Sequence, residues 1–171
     1  MTGVPNVPLH LAGRPTVGGL VVPWITPTTV AGLHLFGKIT AIVQRRCLAE
    51  RRCQVCGQRL GDLAVLFARD SDLTYQCAPE PATCPPCHAY SARACPMLSG
   101  RRSHYRAGEH PALAGTVSDD AHLRQGAPAE LWSAVWVREY DVTVHPAVSG
   151  ALVASWAVHP PARIRRLPAA G

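Results

Sequence analysis

The residues of this chain best suited to chemistry are its thiols. Six of the seven cysteines lie between Cys53 and Ser103. Four of these form two CxxC pairs, Cys53-Gln-Val-Cys56-Gly57 and Cys84-Pro-Pro-Cys87, separated by 27 residues. Each pair presents two sulfurs from one tight turn or helix start, and two pairs complete a tetrahedral all-sulfur shell, the donor set of structural zinc. Gly57 permits the backbone approach of a knuckle turn, and the second pair sits where helix-end amides favour thiolate. Zinc held by Cys53, Cys56, Cys84 and Cys87 is the expected cofactor, in a site with no open position for water and hence no metal-activated nucleophile.

Other sulfur chemistries fit less well. A disulfide framework conflicts with an odd cysteine count and with the lack of a secretion signal. A thioredoxin-like dithiol at Cys84 and Cys87 lacks the surrounding βαβ pattern. An iron–sulfur cluster that includes Cys77 stays open. Cys47 reads as a core residue. Cys95 lies about 16 Å from Cys84 along a continuous helix, too far to share its metal, and Cys77 is either a substitute ligand or a partner for Cys95.

Local sequence places these pairs on definite elements. Leu35 to Arg52 carries Ile39, Ile42, Val43, Cys47 and Leu48 at helical spacing and predicts an amphipathic helix leading into the first pair. Gln58 to Leu60, a Gly61-Asp62 turn and Leu63 to Arg69 predict a hairpin. Two prolines after Cys84 suit the first turn of a helix from Pro85 to Ala94, which Pro96 stops. Val7 to Thr26 reads as short strands with turns, and Ser118 as the cap of a short helix with Asp119 and Asp120 in its first turn and Gly126 beyond it. Trp132, Ala134, Trp136, Tyr140, Val142 and Val144 share one alternation phase, which Leu152, Ala154, Trp156 and Val158 repeat after a turn at Pro146 to Gly150. They predict an antiparallel hairpin with an aromatic inner face. Ile164 and Leu167 among Arg163, Arg165 and Arg166 predict a charged edge strand.

A CxxCG knuckle, then a hairpin, then a CxxC opening a helix resembles a treble-clef zinc finger. With Arg51-Arg52 before the knuckle, it is similar to the HNH endonucleases that carry a four-cysteine zinc site. The resemblance covers the middle third of the chain and implies a metal-binding fold. It also implies a general-base histidine at the end of the second hairpin strand and a cation-binding histidine directly after the last CxxC. His88 matches the latter. The strand end reads Phe67-Ala-Arg-Asp70, and no histidine occurs between Cys56 and Cys87, so the base is missing.

The cations are unusual in kind: sixteen arginines and one lysine, Lys38, against eleven carboxylates, for a net charge of +6. Arg45, Arg51, Arg52 and Arg59 flank the first pair, and Arg93, Arg101, Arg102 and Arg106 follow the second. Guanidinium groups around a metal-folded module suit a phosphate backbone, so DNA or RNA is the expected partner, with Tyr90 or Tyr105 available for stacking. The competing reading is a solvated surface with ion pairs to Glu50, Asp62, Asp70 and Asp72.

Among the remaining histidines, His10, His34, His110, His122, His145 and His159 form no ligand motif, and His104 lies six residues before His110 in a loop with Glu109. Charged content of 16% and an apolar fraction of 47% exclude a highly solvated disordered chain and allow a core. No signal peptide, lipid anchor or uninterrupted apolar span is present, which leads to the expectation of a cytoplasmic protein without a membrane partner.

The architecture expected is a single α+β domain over 1–171 with a treble-clef-like zinc module at 45–98 and a C-terminal antiparallel β-sheet at 128–168. The function expected is a zinc-stabilised binding protein that contacts nucleic acid. Two alternatives are an enzyme whose pocket lies between module and sheet and uses His88 or His104, and a protein-interaction adaptor built on Trp132, Trp136 and Trp156.

Overall fold

A computed structural model describes residues 5–108, 110–117 and 123–168. The helix expected at Ser118, with Asp119 and Asp120, and the side chains of Glu109 and His122 lie outside the described residues.

The organising element is the apolar run after Asp62. It forms β3 (Ala64–Arg69), every residue of which is buried. A strand buried on both faces needs cover on both sides, and its neighbours supply it. The long C-terminal strand β5 (Trp132–Val137) pairs with β3 antiparallel, Ala64 opposite Val137 and Arg69 opposite Trp132. The arginine-rich β8 (Arg163–Arg166) adds to the outer edge of β5. One face of this sheet, with Ala64, Leu66, Ala68, Val135 and Val137, packs on Leu48, Tyr140, Ala154 and Trp156. The other, with Val65, Phe67, Trp132 and Ala134, packs against Leu98, Ala92, Cys95 and Tyr105. Alanines at 64, 68, 78 and 154 let the second sheet approach the first closely.

That second sheet runs in the order β4 (Cys77–Ala78), β7 (Leu152–Ser155), β6 (Asp141–Val144), all antiparallel. The expected C-terminal hairpin is therefore present as β6 and β7. The single alternation phase read from Trp132 to Val144, however, is divided between two sheets at Arg138 to Tyr140. Val142 and Val144 are exposed, and Trp132 and Trp156 are buried on opposite sides of the central sheet.

The helices are short. α1 (Ala41–Ala49) occupies only the second half of the expected helix and buries Gln44, Cys47 and Leu48, while Ile42 is exposed. Its end is a left-handed turn at Arg51 (φ 49°), in which the Arg51 and Arg52 amides donate to the Leu48 and Cys47 carbonyls. This helix-ending pattern usually takes glycine at the turn. Here the Arg51 guanidinium lies 4.3 Å over the Tyr140 ring and holds the turn. α3 (Pro85–Ala94) matches expectation, with prolines in its first turn. The N-terminal strands β1 (Thr16–Val17) and β2 (Leu20–Val21) form a minimal hairpin across Gly18-Gly19.

The hairpin expected between Gln58 and Arg69 is not formed. Backbone bonds of residues 58 to 60 return to the knuckle, Cys53 N to Gln58 O and Leu60 N to Arg51 O, and β3 takes β5 as partner. β3 passes instead into the six-residue α2 (Asp70–Tyr75) through a buried bidentate pair. Arg69 Nε and Nη2 donate to Asp72 at 2.8 and 2.7 Å, and the Arg69 amide donates to the same carboxylate. Removing one partner of such a pair strands the other charge. Asp72→Ala is expected to cost roughly 3–5 kcal/mol in urea unfolding, whereas Arg69→Met with Asp72→Leu recovers most of it. A loss below about 1 kcal/mol for Asp72→Ala contradicts this.

Candidate metal centre

The two CxxC pairs come together because β3 lies between them in sequence and beside them in space. Cys53 to Gly57 fold into a knuckle closed by Gly57 N to Cys53 O, 2.9 Å, and by the Arg52 guanidinium on the Gly57 carbonyl, 2.9 Å. Gly57 is required on two counts: its φ is +77°, and a Cβ there would sit 2.6 Å from the Trp24 ring. The knuckle is tied to the segment entering α3 by Gln54 N to Ala82 O and by the Gln54 side chain on Pro81 O. That segment is fixed in turn by a reciprocal backbone bridge between Thr83 and Val65 of β3, 2.8 Å each way. Cys84 thus stands at the N-cap of α3 and Cys87 in its first turn.

The ligand sulfurs of Cys53, Cys56, Cys84 and Cys87 all lie within 4.8 Å of one another, with Cys56 and Cys84 4.0 Å apart. Sulfurs at ~2.3 Å from a tetrahedral ion are separated by roughly 3.8 Å, so the cluster fits a metal ion with little adjustment. All seven cysteines are free thiols. Within the cluster, hydrogen bonds from Cys53 and Cys87 hold the Cys84 thiol below its ordinary range, while contacts with Cys53 and Cys84 push Cys87 up.

The N-terminal segment supplies partners that spacing gave no means of finding. His10 Nε2 lies 3.4 Å from Cys87 Sγ. Arg14, anchored on the Val22 carbonyl at 3.0 and 3.2 Å, places its charge beside Cys56. Trp24 and Ile25 donate from their backbone to Val55 and Gln54, extending the knuckle. These residues stand some thirty to eighty positions from the thiols they serve, and no local pattern joins them.

The other cysteines play no part in the cluster. Cys47 donates to the Arg52 carbonyl and is pushed up to about 12 by burial, and Cys77, buried in β4, is pushed up to about 11 by burial. Cys95 ends α3, and burial raises it too. None is an activated nucleophile.

His88, the counterpart of a nuclease cation ligand, sits between Phe67 and Trp136 at ring distances of 5.1 and 5.3 Å. Burial, then Arg163 and Arg165, lower its pKa. The two guanidinium charges disfavour a divalent cation beside this ring, so its surroundings lend no support to the cation-binding role that the resemblance implies.

The arginines divide. Arg51 is stacked on Tyr140, Arg52 is paired with Glu50, and Arg46 is paired with the same carboxylate. Arg59, Arg93 and Arg45 are exposed, Arg93 with its Nε on the Ala89 carbonyl. Arg101, Arg102, His104 and Arg106 line an open hollow of about 540 Å³ on the loop after α3. A second concavity of about 470 Å³ lies between the cysteine module and the central sheet, where a pocket was expected, but neither His88 nor His104 lines it. Of the three tryptophans of the adaptor reading, Trp132 and Trp156 are core residues, and Trp136 is half-buried with the Arg163 guanidinium 4.7 Å over its ring.

Among the described residues no helix is long and apolar enough to cross a membrane. A hydrogen bond to a metal-bound thiolate tunes affinity by roughly 10–100-fold in comparable settings. His10→Ala is therefore expected to weaken cobalt(II) binding, followed by thiolate-to-metal absorption, about tenfold, whereas Cys87→Ser abolishes the tetrahedral spectrum. Unchanged cobalt affinity in His10→Ala would contradict a role for His10. No family model, curated protein or solved structure matches the chain, so the reading of this centre rests on its own geometry.

Proposed function

We propose that the chain is a zinc-stabilised nucleic-acid-binding protein in which the cysteine cluster is structural and the basic loop after α3 contacts the phosphate backbone. Zinc is favoured over other ions because the donor set is four thiolates in a closed shell. The 45–98 module is read as treble-clef-like on two features, a CxxCG knuckle and a CxxC at a helix start. The strand between them serves the central sheet instead of a local hairpin. The three unclustered free thiols suit a reducing compartment such as the cytoplasm.

The observation that carries the nucleic-acid reading is the hollow lined by Arg101, Arg102, His104 and Arg106. Its loop is pinned at several points. Arg101 Nη2 donates to the Ala94 carbonyl at the end of α3, Arg102 N to Pro96 O, Tyr105 N to Ala127 O, and Ala129 N to Ser103 O. Pinned backbone with exposed guanidinium heads costs less ordering entropy on binding than a free loop. The four knuckle-side candidates, Arg45, Arg51, Arg52 and Arg59, contribute less, because Arg51 and Arg52 are committed to Tyr140 and Glu50.

Two measurements test this. Purified protein is expected to carry about one zinc per chain by elemental analysis, lost together with cooperative folding in Cys84→Ser; folded metal-free protein would sink the structural role. Anisotropy with mixed-sequence DNA and RNA oligonucleotides is expected to give a log–log salt slope near about −3, as for three or four neutralised phosphates. Arg101→Glu with Arg106→Glu should reduce affinity at least tenfold. Binding without salt dependence, or unaffected by that pair, contradicts the proposed surface.

A further inference from the structure

The two sheets protect their edges unequally. β3 is closed by the Thr83 bridge and β4 is buried, while β8 lines its outer edge with Arg163, Arg165 and Arg166, a run of like charge that discourages pairing with another strand. β6 has none of these protections. It is the outer strand of the second sheet, every residue in it is exposed, and it contains no lysine, arginine or proline.

The β6–β7 register fixes what this edge presents. His145 N donates to Ala151 O, so the peptide groups of Asp141, Thr143 and His145 face β7 and those of Val142 and Val144 face outward. Among the described residues neither valine has a backbone bond outside the sheet. The side chains divide by the same alternation. Val142 and Val144 share the face on which Ala154 packs against the central sheet, yet they are 41% and 51% exposed, uncovered by that sheet. Asp141, Thr143 and His145 stand on the other face. His145 Nδ1 accepts from the Ala147 amide at 2.9 Å, which leaves Nε2 as the donor of its neutral ring. Asp141 Oδ1 lies 3.4 Å from His159 Nε2, and a carboxylate accepts at both oxygens.

We propose that β6 pairs antiparallel with β6 of a second copy of this chain, about a two-fold axis at Thr143, joining the two three-stranded sheets into one. Such a contact requires a self-complementary edge. With Thr143 opposite Thr143, Val142 of each copy stands opposite Val144 of the other, and their outward peptide groups meet in hydrogen-bonding phase. A shift of one residue sets outward groups against groups that face β7, and a shift of two pairs only one valine of each copy with a valine. In the proposed register Asp141 stands opposite His145 of the second copy, once at each end of the strand. This is a non-hydrogen-bonded position, where cross-strand side chains approach most closely, and it sets an acceptor-only carboxylate against the imidazole Nε2–H. Backbone phase, apolar pairing and polar complementarity thus select the same register. Within one chain Asp141 and His145 are about 13 Å apart along an extended strand and cannot meet. None of these residues lines the hollow after α3 or belongs to the cysteine cluster, so the contact is independent of the nucleic-acid reading.

Sedimentation velocity of the purified protein over about 5–500 μM tests this. The interface is one short strand per copy, so a reversible dimer with a Kd of roughly 10–100 μM is expected. Val144→Pro removes an outward N–H without removing a β6–β7 bond and should leave a monomer with an unchanged far-ultraviolet spectrum. Thr143→Lys, which brings two ammonium groups together on the axis, should do the same through charge. His145→Asp sets carboxylates opposite each other and should weaken the dimer at least about tenfold, and adding Asp141→His, which exchanges the pair, should recover it to within about threefold. Protein still monomeric at about 500 μM, a dimer unaffected by both Val144→Pro and Thr143→Lys, or no recovery in the exchanged pair overturns the proposal.

Discussion

Four sulfurs within 4.8 Å of each other set the terms on which the rest of the molecule folds. Two thiolates about 4 Å apart repel by roughly 4 kcal/mol at the effective dielectric of a partly buried site. The cluster can therefore persist only as protons shared among thiols or as thiolates around a cation. Either way the knuckle at 53–57 and the first turn of α3 become one unit, although 27 residues separate the two pairs. Between them lies β3, so whatever closes the cluster also fixes the register of the strand on which both sheets depend. The reciprocal Thr83–Val65 bridge makes the coupling direct: moving Cys84 by one residue would move the partner of Val65.

The two faces of β3 then differ in construction. Toward the second sheet it presents Ala64, Leu66 and Ala68, met by Ala78 and Ala154, so the sheets pack closely and the large Trp156 closes the cluster at one end. Toward α3 it presents Val65 and Phe67 beside Trp132, bulky groups met by the helix and by Leu98. Small residues on one face and rings on the other explain why the apolar cavity borders the α3 side alone among these two. The N-terminal segment forms the remaining wall and also brings His10 and Arg14 to the sulfurs, so metal centre and cavity share one structural support.

Legibility in the sequence followed the range of the interaction. Pro85 and Pro86 after Cys84 mark a helix start because φ restriction acts within one turn. Pro146 to Gly150 marks the β6–β7 hairpin because the turn and the alternation on either side are contiguous. The β3–β5 pairing joins residues 64–69 to 132–137, and alternation says nothing about partner choice at that distance. It also misled, since a continuous phase from Trp132 to Val144 conceals a change of sheet at Arg138 to Tyr140. The hairpin expected before β3 failed for a related reason. Residues 58 to 60 had a nearer use for their backbone groups in closing the knuckle, leaving β3 to find a longer partner. The four sulfurs were legible because CxxC is itself a short-range constraint. His10 was not, because a lone histidine forty-odd residues upstream of the first thiol carries no spacing signal.

The arginines show the same limit from the side of charge. Sequence proximity places two groups around the cysteines, yet the side chains before β3 and those after α3 do different work. Arg51 and Arg52 follow a helix terminus whose left-handed turn needs support, and planar guanidinium groups supply it by stacking on Tyr140 and pairing with Glu50. Arg101, Arg102 and Arg106 follow a helix end at which Arg101 donates through Nη2 to the Ala94 carbonyl. The loop is thereby anchored while most of its donors remain turned outward around the hollow. A helix end with strain to relieve consumes its arginines, and one already satisfied presents them. On the proposed nucleic-acid reading, this difference in local backbone demand favours the loop after α3 over Arg51 and Arg52 as the contact of an anionic partner.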